Sequence, residues 1–135
     1  MTGVPALAVL DTNAIVSAFL SPGGPPARIV ASIGRRAFIP LYDSRVIAEY
    51  RAVLRRPRFG LDPADVERFV RMYMARGWAV EAADWRMPLA DEADRPFVEV
   101  AAGMAGLVVT GNARHFPAAP WVVSPAEFWA RLSGG

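Results

Sequence analysis

The amino-acid sequence predicts an α/β domain, a three-layer α/β/α sandwich around a central parallel sheet of four to five strands. Three observations carry the prediction. Short apolar runs alternate along the chain with segments whose apolar residues recur at helical spacing. The runs are apolar at successive positions, as in strands covered on both faces. The 135 residues contain no internal repeat, linker or low-complexity tract, which suits one domain over 1–135. Strands that alternate with helices imply parallel pairing, because a helix returns the chain to the same end of the sheet.

Each element has its own local signal. Ala6–Leu10 reads as a buried strand, and Asn13–Leu20 as a short helix stopped by Ser21-Pro22-Gly23-Gly24. Pro25 and Pro26 open a second helix, with Ile29, Val30 and Ile33 on one face and Gly34 as its stop. Ala37–Tyr42 is the second strand. Asp43 or Ser44 then caps a helix that reaches about Arg56. Asp62-Pro63 starts the next helix, with a stripe of Val66, Phe69, Val70 and Tyr73 and with Gly77 beyond its end. Trp78–Ala82 reads as a third strand, Asp94–Ala105 as a helix, Leu107–Thr110 as a fourth strand and Trp121–Val123 as a fifth. Ser124-Pro125-Ala126-Glu127 has the form of a capping box before the last helix. Stretches 21–26, 86–92 and 112–120 are the most loop-like.

Composition narrows the functional classes. No apolar run approaches the roughly 18–20 residues of a membrane span. No basic segment precedes Ala6–Leu10, so the N-terminus does not read as a signal peptide. The absence of cysteine removes disulfides, thiolate nucleophiles and cysteine-based zinc sites, and fits a cytoplasmic protein. A net charge of +2 and a pI near 9.7 are compatible with a polyanionic partner without requiring one. All 15 cationic side chains are arginine, which excludes any mechanism that needs a lysine.

In open parallel sheets, ligands collect beyond the carboxyl ends of the strands. Asp11 follows the first strand directly, and Asn112 follows the fourth through Thr110 and Gly111. A carboxylate at the end of a buried strand is costly unless it is hydrogen-bonded, paired or bound to a metal. Asp94 shares a helical stripe with Phe97, Val98, Ala101, Ala102 and Ala105, which aims it inward; the plain alternative is a helix N-cap. Glu49 lies at the edge of the stripe Val46, Ile47, Tyr50, Val53, Leu54; the plain alternative is a surface pair with Arg45. Three converging carboxylates repel one another, and a divalent cation relieves this. Oxygen donors without cysteine suit magnesium or manganese. Such an ion can activate a water for attack on a phosphodiester.

These residues resemble the motifs of the PIN-domain family. Val9-Leu10-Asp11-Thr12-Asn13 resembles its opening motif, and Glu49 within Ile47–Leu54 its second acidic position. Asp94 within Asp94–Ala101 resembles the third, and Val109-Thr110-Gly111-Asn112 the closing segment. The resemblance runs to the Ser124–Phe128 ending and is nearest to the VapC-type toxins of bacterial toxin–antitoxin pairs. It implies strand order 3-2-1-4-5 and a metal-dependent endoribonuclease that hydrolyses RNA with a magnesium-activated water. It also implies one or two Mg2+ or Mn2+ ions, a cognate antitoxin and a homodimer. Carried onto this chain, Asp11, Glu49 and Asp94 bind metal, Asn112 orients a ligand at the fourth position, and Asn13 and Thr110 support the cluster. Arg56 and Arg58 are candidates for RNA phosphates, whereas Arg51 and Arg55 point to solvent.

Asn112 departs from the pattern, because many relatives have aspartate there. Asp91 could compensate, although a surface loop role fits it better. The sole histidine, His115, reads as a loop residue that could instead contact substrate. Trp121, Phe128 and Trp129 read as core or dimer surface. Two rivals come from other classes. Asp-Thr-Asn after a first strand faintly resembles haloacid-dehalogenase phosphatases, but Asn13 stands where they have a second acid, and the lysine they use is missing. A degenerate PIN domain that only binds RNA or a partner is the other, with Asn112 as its support.

Overall fold

A computed structural model describes residues 5–134; the Met1–Val4 segment read above for targeting signals lies outside them. The chain runs β1 (Leu7–Leu10), α1 (Thr12–Leu20), α2 (Pro25–Gly34), β2 (Ile39–Tyr42), α3 (Ser44–Leu54), α4 (Pro63–Arg76) and β3 (Trp78–Ala79). It continues through α5 (Arg95–Gly103), β4 (Leu107–Val109), β5 (Val122–Val123) and α6 (Pro125–Ser133). Short 3-10 turns occur at Pro57–Phe59, Glu92–Asp94 and Ala113–His115. All strand pairs are parallel, and the sheet order is β3-β2-β1-β4-β5, the order the family resemblance implied. Ala8, Val9 and Leu10 are all buried although neighbours on a strand face opposite ways, so both sides of the sheet are covered. No helix among the described residues is long and apolar enough to cross a membrane.

Element ends depart from the sequence reading for identifiable reasons. The third strand keeps only two residues, because beyond Val80 the chain leaves β2 and Ala83 N–H donates to Glu99 O on α5 (3.0 Å). The helix read as Asp94–Ala105 stops at Gly103: Ala105 takes a positive φ of 51°, and Gly106 N–H donates back to Ala101 O (2.8 Å). The helix read to Arg56 stops at Leu54, where the Pro57–Phe59 turn takes over. The capping box is formed, with Ser124 and Glu127 each bonding the other's backbone N–H. The C-terminal aromatics pack inward. Phe128 is fully buried edge-on to Phe38, and Trp121 lies edge-on to Trp85.

One core device had no obvious trace in the sequence. Pro40 sits in β2 with its ring nitrogen on the β3 side, since Ile39 N–H before it donates to Ala6 O on the β1 side (2.9 Å). The β1–β2 pairing covers Leu7–Ile39 and Ala8–Pro40, so Leu10 and Leu41 lie beyond it. Two buried tyrosines bridge that gap. Tyr50 OH donates to Leu10 O (2.5 Å). Tyr73 OH accepts from Leu10 N–H (3.3 Å) and donates to Leu41 O (2.8 Å). Burial pushes both phenols above their ordinary pKa, so they act as neutral hydrogen-bonding posts. They hold the end of β1, and hence Asp11, against α3 and α4.

Candidate active site

A cavity of about 570 Å³ opens beyond the carboxyl ends of β1 and β4, where the strand order reverses about β1. Asp11, Asn13, Glu49, Asp94 and Asn112 all line it, as do Arg56 and Arg58. These residues come from five separate stretches of chain. Thr110 lies beneath, fully buried.

Asp11 is buried and fixed at both carboxylate oxygens. Oδ1 accepts from Thr12 N–H (2.8 Å), which makes Asp11 the N-cap of α1, and Oδ2 accepts from Thr110 Oγ1–H (2.8 Å). Thr110 Oγ1 in turn accepts from Asn112 N–H (3.0 Å), so its donor and an acceptor site are both used. Asn13 Oδ1 accepts from Gly111 N–H (3.3 Å) and ties the head of α1 to the end of β4. Burial raises the Asp11 carboxyl above its ordinary pKa, against the two hydrogen bonds, which lower it.

Asp94 occupies the N-cap position of α5, yet its side chain caps nothing. The capping explanation therefore falls away, and the half-buried carboxylate faces the cavity instead. Its pKa is raised from 3.8 to about 7, by burial first and then by the charges of Asp11, Asp91 and Glu49. Glu49, also half-buried, does not pair with Arg45. That arginine binds Asp43 and Glu99 (both 2.8 Å). Asp91 is an exposed residue that caps the 3-10 turn through Ala93 N–H (2.9 Å) and also reaches the cavity rim.

Asn112 turns its amide towards the histidine. Nδ2 lies 2.9 Å from His115 Nδ1; an amide nitrogen can only donate, so Nδ1 accepts and the ring hydrogen sits on Nε2. His115 sits in the Ala113–His115 loop turn and also lines the cavity. Of the arginine run, Arg51 and Arg55 share the single carboxylate of Glu67 on α4 (both 3.0 Å), whereas Arg56 and Arg58 make no ion pair among the described residues.

Sequence reading passed over three side chains. Thr12 lines the cavity with a buried hydroxyl that has no partner among the described residues; its place inside Asp-Thr-Asn was the available signal. Phe59 also lines the cavity, in a Pro-x-x-Gly turn legible as such. Glu99 is a buried carboxylate outside the cavity. It joins α5 to Arg45 and to Trp85 N–H (3.0 Å).

The donor set suits a hard divalent cation: carboxylate oxygens, partly desolvated, where burial first and the neighbouring carboxylates second hold a proton on Asp94 near neutrality. Among the described residues, no three acidic or histidine side chains stand close enough to enclose an ion by themselves. A cation here would keep water in its coordination shell, as magnesium commonly does.

The family model for the PIN domain matches residues 7–114. The chain belongs to the PIN-domain family, a nuclease fold whose members typically use divalent metals. Among solved structures, the crystal structure of PAE2754 from Pyrobaculum aerophilum is similar at 16% identity with a TM-score of 0.61, covering 97% of this chain and 91% of that one. That likeness concerns the fold. No curated protein matches the sequence.

Proposed function

We propose that this chain is a magnesium- or manganese-dependent endoribonuclease, the toxin of a type II toxin–antitoxin pair. The observation that carries the nuclease reading is the gathering of Asp11, Glu49 and Asp94 around one cavity that also holds two arginines with no ion pair among the described residues. Asp11 and Asp94 would hold the ion, with Glu49 contributing from α3. When bound, the ion supplies positive charge at the phosphodiester and an activated water. Thr110 keeps Asp11 in one rotamer, so the carboxylate needs no rearrangement to accept a cation. His115 lines the cavity, and its Nε2–H can donate a hydrogen bond to a substrate oxygen. Arg56 and Arg58 attract the backbone phosphates.

The toxin role, the antitoxin partner and the homodimer rest on the motif resemblance. Growth arrest on expression, relieved by the product of an adjacent gene, tests them. RNA cleavage with Mg2+, Mn2+ or EDTA tests the chemistry. Asp11→Asn preserves the helix cap, since Asn caps as well as Asp, and it should lower the rate at least a hundredfold. Equal cleavage by wild type and variant would sink the scheme. A second reading, a binding module without catalysis, is favoured by the uncharged Asn112 and the open arrangement of carboxylates. It requires that RNA bind without metal-dependent cutting.

A further inference from the structure

Phe59 has no packing role that explains it. It is half-buried, yet among the described residues it belongs to neither the hydrophobic core nor the side chains packed around that core. Instead it lines the cavity, as Val16 and Val53 do. We infer that Phe59 is a stacking platform for one unpaired base of the RNA, with Arg58 extending the stack and Arg56 holding the adjoining phosphate. This rests on the nuclease reading above and adds a nucleotide-recognition subsite to it.

The turn fixes the backbone that carries the ring. Pro57 starts the 3-10 turn, Phe59 N–H donates to Arg56 O (3.0 Å), and Gly60 N–H donates to Pro57 O (3.0 Å). Gly60 closes the turn at φ 62°, a conformation that favours glycine. An aromatic side chain on such a backbone has only two torsions to fix on binding. Arg58 lies with its guanidinium carbon 4.8 Å from the ring centroid, so a planar cation already stacks on it. A base can extend this stack on the guanidinium or on the ring, as bases do in single-strand binding sites. The charge pattern selects a polyanion. Arg51 and Arg55 share the single carboxylate of Glu67, but Arg56 and Arg58 have no carboxylate partner among the described residues. A base held inside a duplex cannot reach such a platform, so the nucleotide at this subsite is unpaired.

The test uses the full chain carrying Asp11→Asn, to block cleavage, and fluorescein-labelled single-stranded RNA read by anisotropy with and without Mg2+. Phe59→Ala and Phe59→Leu should each weaken binding about tenfold, and Phe59→Trp should retain it. In an abasic scan, one position should weaken the Phe59 protein about tenfold and leave Phe59→Ala unaffected. The double variant Arg56→Gln/Arg58→Gln should flatten the salt dependence, whereas Phe59→Ala should not. If the parent binds RNA and Phe59→Leu binds equally well, or the scan is the same for both proteins, the stacking inference is overturned while the nuclease reading stands. A parent that binds no RNA overturns both.

Discussion

Replacing Asp94 by asparagine removes the most frustrated charge of the cavity while keeping its shape. The folded protein holds the Asp94 proton up to about pH 7, against an ordinary pKa of 3.8. At about 1.36 kcal/mol per decade, so large a shift in a fully buried group would correspond to about 4 kcal/mol. Asp94 is only half-buried, and solvent screening reduces the effect to about 1–2 kcal/mol. The sign follows from linkage. The folded state binds the proton more tightly than the unfolded state, so stability is greatest below pH 3.8, falls as pH rises, and reaches its full loss above about pH 7. Asparagine mimics the protonated form and escapes that loss. In EDTA at pH 8, Asp94→Asn should therefore melt about 3–8 °C above wild type, and at pH 5 the gap should shrink to about a third of that. Mg2+ should raise the melting temperature of wild type and leave the variant almost unmoved, because the ion relieves a repulsion the variant no longer has. Scanning calorimetry at the two pH values is sufficient. A variant that melts below wild type in EDTA at pH 8, or a gap independent of pH, would refute the crowded-carboxylate account.

Thr110→Val keeps the shape of a fully buried side chain but leaves Asp11 Oδ2 and Asn112 N–H without partners; it should cost about 1–3 kcal/mol in urea denaturation, with Thr110→Ser recovering most of it. Tyr73→Phe strands Leu10 N–H and Leu41 C=O where the β1–β2 pairing ends. It should cost a similar ~1–3 kcal/mol and speed amide exchange at Leu10, and an unchanged Leu10 rate would contradict the bridging role. Asn112→Asp adds a negative charge to the cavity and removes the donor to His115 Nδ1. Mn2+ binding by calorimetry should tighten several-fold, and nitrogen NMR should show the His115 hydrogen leaving the Nε2-only form.

Sequence patterns alone determined the layered fold. Continuous apolar strands and striped helices alternate in an order that leaves few topologies, and the observed 3-2-1-4-5 sheet agrees with the motifs. They also marked Asp11, since a carboxylate straight after a buried strand demands a reason. What they left open were the partners. Whether Glu49 pairs with Arg45, and whether Asp94 is a cap, turned on residues distant in sequence: Glu99 claims Arg45, and Asp94 caps nothing. The Asn112–His115 contact and the sharing of Glu67 by Arg51 and Arg55 were equally out of reach. Periodicity reports which way a side chain points from its own element. Only packing brings five chain segments to one cavity, decides which charges are already satisfied, and leaves Asp11, Asp94, Arg56 and Arg58 facing it.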